Sequence, residues 1–217
     1  MIEHLNHFLT ACLIFTCMFS FCRADNTRVL DLPKARTTGG RPLMEVLRDR
    51  KSTREFIQKE IPLQVLSDML WAAWGVNRPE SGKRTAPSAV NWQEIDVYVA
   101  SARGLHRYDA FEHRLIEILS DDVRDLTGMQ GFVKEAPVNL IFVADYSRMG
   151  NRSQSDKDFY SAADAGFISQ NVYLFCASEG LGTVVRGAVD RDKLAQKMKL
   201  SSEQKIILAQ SVGYPTD

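Results

Sequence analysis

Five consecutive residues, Arg50-Lys51-Ser52-Thr53-Arg54, set three cations and two hydroxyls directly after a stretch of helical periodicity. A phosphate monoester carries nearly two negative charges and three strong acceptor oxygens. Guanidinium forks and a short hydroxyl hold it through charge-assisted hydrogen bonds, roughly 1.5–3 kcal/mol each. The alternative for such a run is a solvated basic face. Other chemistry is sparse. Gly82-Lys83 is no nucleotide phosphate loop, because residue 84 is Arg where Ser or Thr is needed and residue 77 is Asn where Gly is needed. Gly180-Leu181-Gly182 is no dinucleotide fingerprint, because residue 185 is Val rather than Gly. His106 and His113 lie in no Cys/His cluster and form no i,i+4 pair, so no metal site is expected. Cys176 sits among apolar residues of a predicted helix and reads as a buried, inert thiol.

Several elements must position the basic cluster. Pro42 opens a helix carrying Leu43, Val46 and Leu47, and the cluster follows its end. Pro62 opens a second helix with Leu63, Leu66, Met69, Leu70, Ala73 and Trp74 on one stripe and Gly75 as its stop. Residues 77–91 read as a loop. Strands are expected over Asp96–Ala100, Leu105–Tyr108 and Arg114–Leu119, the last two joined as a hairpin. The apolar run Val138–Ala144 suits a strand buried on both faces, and 147–156 reads as a loop. From about Lys157 to Glu179 runs the longest helical pattern, its small residues Ala162, Ala163, Ala165, Gly166 and Ser169 permitting close backbone approach. Thr183–Val189 reads as a strand, Asp190 caps a short helix to about Lys199, and Lys205–Val212 closes the chain as a strand. Helices interleaved with antiparallel and buried strands argue for an α+β sandwich.

The chain has 217 residues, 45% hydrophobic and 25% charged, enough for one globular domain with a real core. Lys plus Arg equals Asp plus Glu at 27 each, which disfavours a nucleic-acid role. Residues 8–21 are an uncharged apolar run of signal-peptide length, with Cys22 and Ala24 at the −3 and −1 positions of a cleavage before Asp25. Residues 1–24 are therefore expected to be a signal peptide directing export, with no stable membrane association after processing. Lipidation at Cys22, an uncleaved anchor and a misplaced start are the alternatives. Residues 25–40 read as a polar arm and 41–217 as the domain. Cys12, Cys17 and Cys22 lie in the leader, so a processed chain keeps only Cys176 and forms no internal disulfide.

Four stretches in order resemble the nitroreductase family of flavoproteins. They are Arg50–Arg54, Ala86-Pro87-Ser88-Ala89-Val90-Asn91-Trp92-Gln93, Ala165–Asn171 and Gly180–Thr183. The likeness is greatest to the SagB-type dehydrogenase branch, through Leu70–Arg78, Gly104–Asp109 and Val212–Pro215, and it runs from about Gly40 to Pro215. It implies a nitroreductase-like sandwich whose mixed, mainly antiparallel sheet is flanked by helices, with the long central helix at a homodimer interface. FMN is the implied cofactor, reduced by NAD(P)H and reoxidised by a small acceptor such as a nitroaromatic or quinone in ping-pong fashion. Arg50, Lys51 and Ser52 would hold the phosphate and ribityl tail, and Arg54 the N1/O2 edge of the ring. Pro87, Ser88, Ala89 and Asn91 would contact flavin from the partner subunit. Gly187 and Ala188 would present backbone N–H groups near N5 and O4. No catalytic side chain is required, since the flavin carries the chemistry. The SagB-like alternative is azoline oxidation in a modified peptide, and a flavin-binding module without turnover is a third reading. Arg186 stands where many family members carry an apolar residue. It either recognises an anionic substrate or pairs with an acid.

Overall fold

Helix boundaries follow the caps. The computed structural model describes residues 28–216, so the expected leader and the first residues of the arm lie outside the described residues. Pro42 caps α1 (Leu43–Asp49) and Pro62 caps α2 (Leu63–Trp74), which Gly75 terminates. The longest helix, α3 (Gln154–Glu179), begins three residues earlier than expected because the Ser153 hydroxyl accepts the Asp156 N–H at 3.1 Å. It ends where Gly180 turns left-handed at φ 70°. Asp190 caps α4 (Arg191–Met198) by accepting the Lys193 N–H.

Ten strands accompany these helices among the described residues: β1 (Val29–Asp31), β2 (Phe56–Ile57), β3 (Val76–Arg78), β4 (Lys83–Arg84), β5 (Ile95–Ser101), β6 (Gly104–Asp109), β7 (Arg114–Leu119), β8 (Val138–Asp145), β9 (Gly182–Arg186) and β10 (Gln204–Pro215). Eight form one sheet in the order β1-β7-β6-β5-β8-β10-β2, with β9 also on β10. Every pairing in it is antiparallel, in keeping with the mainly antiparallel sheet that the family likeness implied. β8 lies at its centre and is buried along nearly its whole length, as its apolar run predicts. One face packs on α2 and α3 through Met69, Leu70, Phe142, Ile168 and Val172; the other is covered by α4 through Leu194 and Met198. Trp74 and Cys176 are buried in the first of these cores, and burial pushes the Cys176 thiol far up, so it is inert.

Other boundaries also differ from those expected, β10 running on to Pro215 where Val212 was expected to end it. Within the expected arm, Val29–Asp31 joins the sheet on β7. The expected loop 77–91 contains most of a two-stranded ladder, β3 on β4, whose strands meet through backbone bonds that need no apolar pattern. The strand expected over 183–189 stops at Arg186, where the chain leaves the sheet in a tight turn with the Val189 N–H on the Gly187 carbonyl at 3.0 Å. No helix among the described residues is long and apolar enough to cross a membrane.

Candidate functional site

The basic cluster is a short loop tying α1 to β9. Arg50 ends α1 with its N–H on the Val46 carbonyl at 2.8 Å, and its guanidinium lies 5.2 Å from the centre of the Tyr173 ring. Ser52 Oγ is 2.9 Å from the Tyr173 hydroxyl, which also accepts the Val185 N–H at 3.0 Å. The Thr53 N–H donates to the Thr183 carbonyl at 2.9 Å. Gly182 permits this docking: a Cβ there would meet Thr53 Cγ2 at 2.7 Å. Lys51 and Thr53 line a cavity of about 170 Å³ with Asp49, Gly180, Leu181 and Pro215.

Charge in this loop is uncompensated. Arg54 and Lys51 are exposed and, among the described residues, make no ion pair or side-chain hydrogen bond. Of the two flanking acids, Asp49 is engaged by Arg41 and Arg48, which hold its carboxyl below the usual range, and Glu55 accepts from the Thr216 hydroxyl at 3.4 Å. Three cations that make no ion pair among the described residues, beside the Ser52 and Thr53 hydroxyls, form a donor set for a phosphate. A wider cavity of about 740 Å³ lies elsewhere, between the β2–α2 connection and the ends of β5 and β6, lined in part by Ile61, Leu66, Val99, His106 and Lys134. None of the expected site residues lines it.

Gly187 and Ala188 follow β9 as exposed backbone. The Ala188 carbonyl accepts the Met129 N–H at 3.1 Å, while neither the Gly187 nor the Ala188 N–H donates within the described chain outside the ladder, which ends at Arg186. A Cβ on Gly187 would meet nothing within 4 Å, so packing inside this chain is not what calls for glycine there. Arg186 itself is buried, and its guanidinium donates to the Thr127 carbonyl at 2.7 Å and to Asn139 Oδ1 at 2.9 Å. It pairs with no acid among the described residues, and burial pulls its pKa down to about 10.

The loop carrying Pro87, Ser88, Ala89 and Asn91 sits at the other end of α3. The Ala89 N–H donates to Asp164 Oδ2 at 2.9 Å, and Ser88 Oγ accepts the Gln93 N–H at 3.0 Å. Val90, Asn91 and Gln93 all have positive φ, at 52°, 57° and 50°. For β-branched Val90 this conformation is an outlier costing on the order of 1–3 kcal/mol, and its side chain is 74% exposed. Asp164 and Tyr173, which anchor the two halves of the expected site, lie nine residues apart on α3, about 13.5 Å along the axis. One chain therefore presents the halves at separate points of the same helix.

Sequence reading missed Tyr173, Gly182, Asp164 and Glu94 as site residues. Tyr173 and Asp164 fall within a helix whose pattern is dominated by core positions. Only Glu94, an acid directly preceding the apolar strand β5, carried a visible signal.

The chain matches the nitroreductase family over residues 47–214. A protein of Methanocaldococcus jannaschii named as a nitroreductase is 32% identical over 177 residues, covering 76% of this chain and 88% of that protein. The FMN reductase [NAD(P)H] of Bacillus subtilis is 24% identical, covering 81% of this chain and 66% of its own length. A crystal structure from Ralstonia eutropha, described as a nitroreductase, superposes with TM-score 0.84 at 48% identity, covering 88% of this chain and 90% of that one.

Proposed function

This chain belongs to the nitroreductase family, and from that premise we propose that it is an FMN-dependent oxidoreductase working as a homodimer. The observation that carries the reading is the set Arg50, Lys51 and Arg54, without ion pairs among the described residues and bound through Ser52 and Tyr173 to β9, whose following turn leaves the Gly187 and Ala188 N–H groups free. These residues fit FMN. Arg50, Lys51 and Ser52 hold its phosphate end; the Ser52 hydroxyl keeps bonding capacity beyond its Tyr173 contact. Arg54 faces the N1/O2 edge, where a fixed cation favours added negative charge. Bound FMN supplies two-electron chemistry, taking hydride from NAD(P)H and yielding it to a small acceptor such as a nitroaromatic or quinone. The protein orients the ring, and the backbone at 187–188 leaves room above it.

The proposed homodimer is compatible with the same geometry. If two copies of α3 pack antiparallel about an axis midway between Asp164 and Tyr173, the 87–91 loop of each subunit meets the 50–54 loop of the other. The axis then falls near Phe167, which is 49% exposed, and Leu43, Met44 and Leu47 of α1 add further exposed apolar surface. Pro87, Ser88, Ala89 and Asn91 would thus reach flavin from the partner.

A second reading is the SagB-like oxidation of azoline rings in a modified peptide. Sequence likeness at Leu70–Arg78 supports it. Export through residues 1–24 is also proposed, and fractionation of cells producing the full chain tests it. The decisive experiment is the absorption spectrum of the purified protein before and after anaerobic NADH or NADPH. Bleaching of a bound yellow flavin, reversed by a nitroaromatic or quinone, is expected. A flavin that stays oxidised in both but turns over an azoline peptide selects the second reading, and a protein that rejects FMN ends both.

A further inference from the structure

Two carboxyl groups lie buried side by side under the strained 87–93 loop, and no cation pairs with either among the described residues. Glu94 is fully buried and Asp164 is 2% exposed. The two are close enough to interact directly through charge and hydrogen bonding. Neither Glu94 oxygen has a hydrogen-bond partner in place, although the Ser161 hydroxyl is near enough to donate to it. The Ser161 hydroxyl beside it is turned toward Met149 Sδ at 3.5 Å, and the Tyr146 hydroxyl donates to Asp158 at 2.6 Å. The cations of this region are engaged elsewhere. Arg84 donates to Gln93 Oε1 at 2.9 Å, and Arg148 donates to the Gln93 carbonyl at 3.0 Å and to Asp96 at 2.8 Å, also pairing with Asp145. Lys157 and Arg152 lie over the rings of Tyr146 and Trp92.

An unpaired buried carboxylate is costly, and two in contact cost more. One proton resolves both problems: Glu94 then donates to Asp164, and Asp164, acting as the anion, accepts Glu94 from one side and the Ala89 N–H from the other. We propose that Glu94 and Asp164 share one proton and together form the latch that positions the strained loop carrying Pro87, Ser88, Ala89 and Asn91. The latch acts through the loop, so both are positioning residues. Its consequence for flavin rests on the intersubunit reading above.

The latch is sensitive to pH. Burial first, then the Asp164 charge, push Glu94 up to about 7, and Asp164 is raised as well. A raised folded-state value means that the proton's contribution is complete in acid and is lost as pH rises through about 7. Two anions then face each other, and the Ala89 anchor weakens.

The test is made on the full chain and follows two signals that do not involve turnover. One is the infrared carbonyl band of a protonated carboxylic acid, followed against pH. The other is hydrogen exchange at the Ala89 amide, corrected for the intrinsic rate. In the native protein the acid band disappears in one step near neutrality and Ala89 exchange accelerates in the same step by about tenfold, the factor given by one pKa unit of coupling. Glu94→Gln donates to Asp164 at every pH, so it removes the band and keeps Ala89 protected without the step. Glu94→Ala removes the shared proton and the second charge together, so it too abolishes the band and the step in Ala89 exchange. A native protein with no acid band, an Ala89 amide indifferent to pH, or Glu94→Gln retaining the step overturns the latch. If band and exchange behave as stated but FMN occupancy ignores the step, the latch stands and the intersubunit flavin reading falls.

Discussion

The Tyr173 hydroxyl lies 2.9 Å from Ser52 Oγ and accepts the Val185 N–H at 3.0 Å. A single side chain on α3 thus joins a cation loop to the strand that leads into the free N–H groups at 187–188. Tyr173→Phe removes that join while keeping the ring beneath Arg50. A neutral hydrogen bond contributes about 0.5–1.5 kcal/mol. With two such bonds lost, stability should fall by about 1–3 kcal/mol and FMN affinity by up to about tenfold, read by thermal unfolding and by titration of flavin fluorescence.

Arg50→Ala combined with Ser52→Ala removes a cation and a hydroxyl from an exposed loop whose backbone bond from Thr53 to Thr183 is unchanged. The double variant should lose bound flavin while retaining its native size and fold. Flavin content after gel filtration gives the answer, and undiminished occupancy would remove the phosphate assignment.

Arg54 makes no ion pair within the described chain, so its loss costs the fold little. Arg54→Ala should keep flavin and lower its reduction potential, by about 30 mV for roughly 1.4 kcal/mol of lost stabilisation in a two-electron couple. Spectroelectrochemistry reads this directly; an unmoved potential places Arg54 away from the ring.

Glu94 predicts the direction of the whole protein's pH response. Its folded-state value of about 7 exceeds the ordinary 4.5, so its contribution is full below 4.5 and is lost as pH rises through about 7. The loss is on the order of 3 kcal/mol. Native protein should melt at a lower temperature in mild alkali than in mild acid. Glu94→Gln should flatten that difference.

Gly182→Ala forces a methyl group against Thr53, whose Cγ2 would lie 2.7 Å away. Overpacking of this kind costs about 1–3 kcal/mol. Thr53→Ser removes the offending methyl, so the double variant should recover much of the loss in a thermal-unfolding cycle. Independent, additive effects would show that the loop does not dock on β9 as described.

Legibility in the sequence tracked the range of the interactions. Pro42, Pro62, Gly180 and Asp190 are local signals, since each cap acts within one helical turn, and each bounds one end of one of the four helices among the described residues. The Ser153 cap went unread, and α3 starts three residues before the expected position. The run Val138–Ala144 announced a fully buried strand because only apolar side chains tolerate burial on both faces. The ladder of β3 on β4 left no mark, because main-chain hydrogen bonds need no particular side chain.

The same division holds at the site. Sequence alone determined that three cations and two hydroxyls lie in five consecutive residues and that an α+β sandwich surrounds them. Tertiary structure decided that Tyr173, 121 positions from Ser52, holds that loop to β9. It also decided that Arg186 is buried without an acid and that Glu94 faces Asp164. Composition and spacing encode what a residue can do. Whether a charge is solvated, paired or stranded depends on segments far apart in the chain, and burial sets its energy.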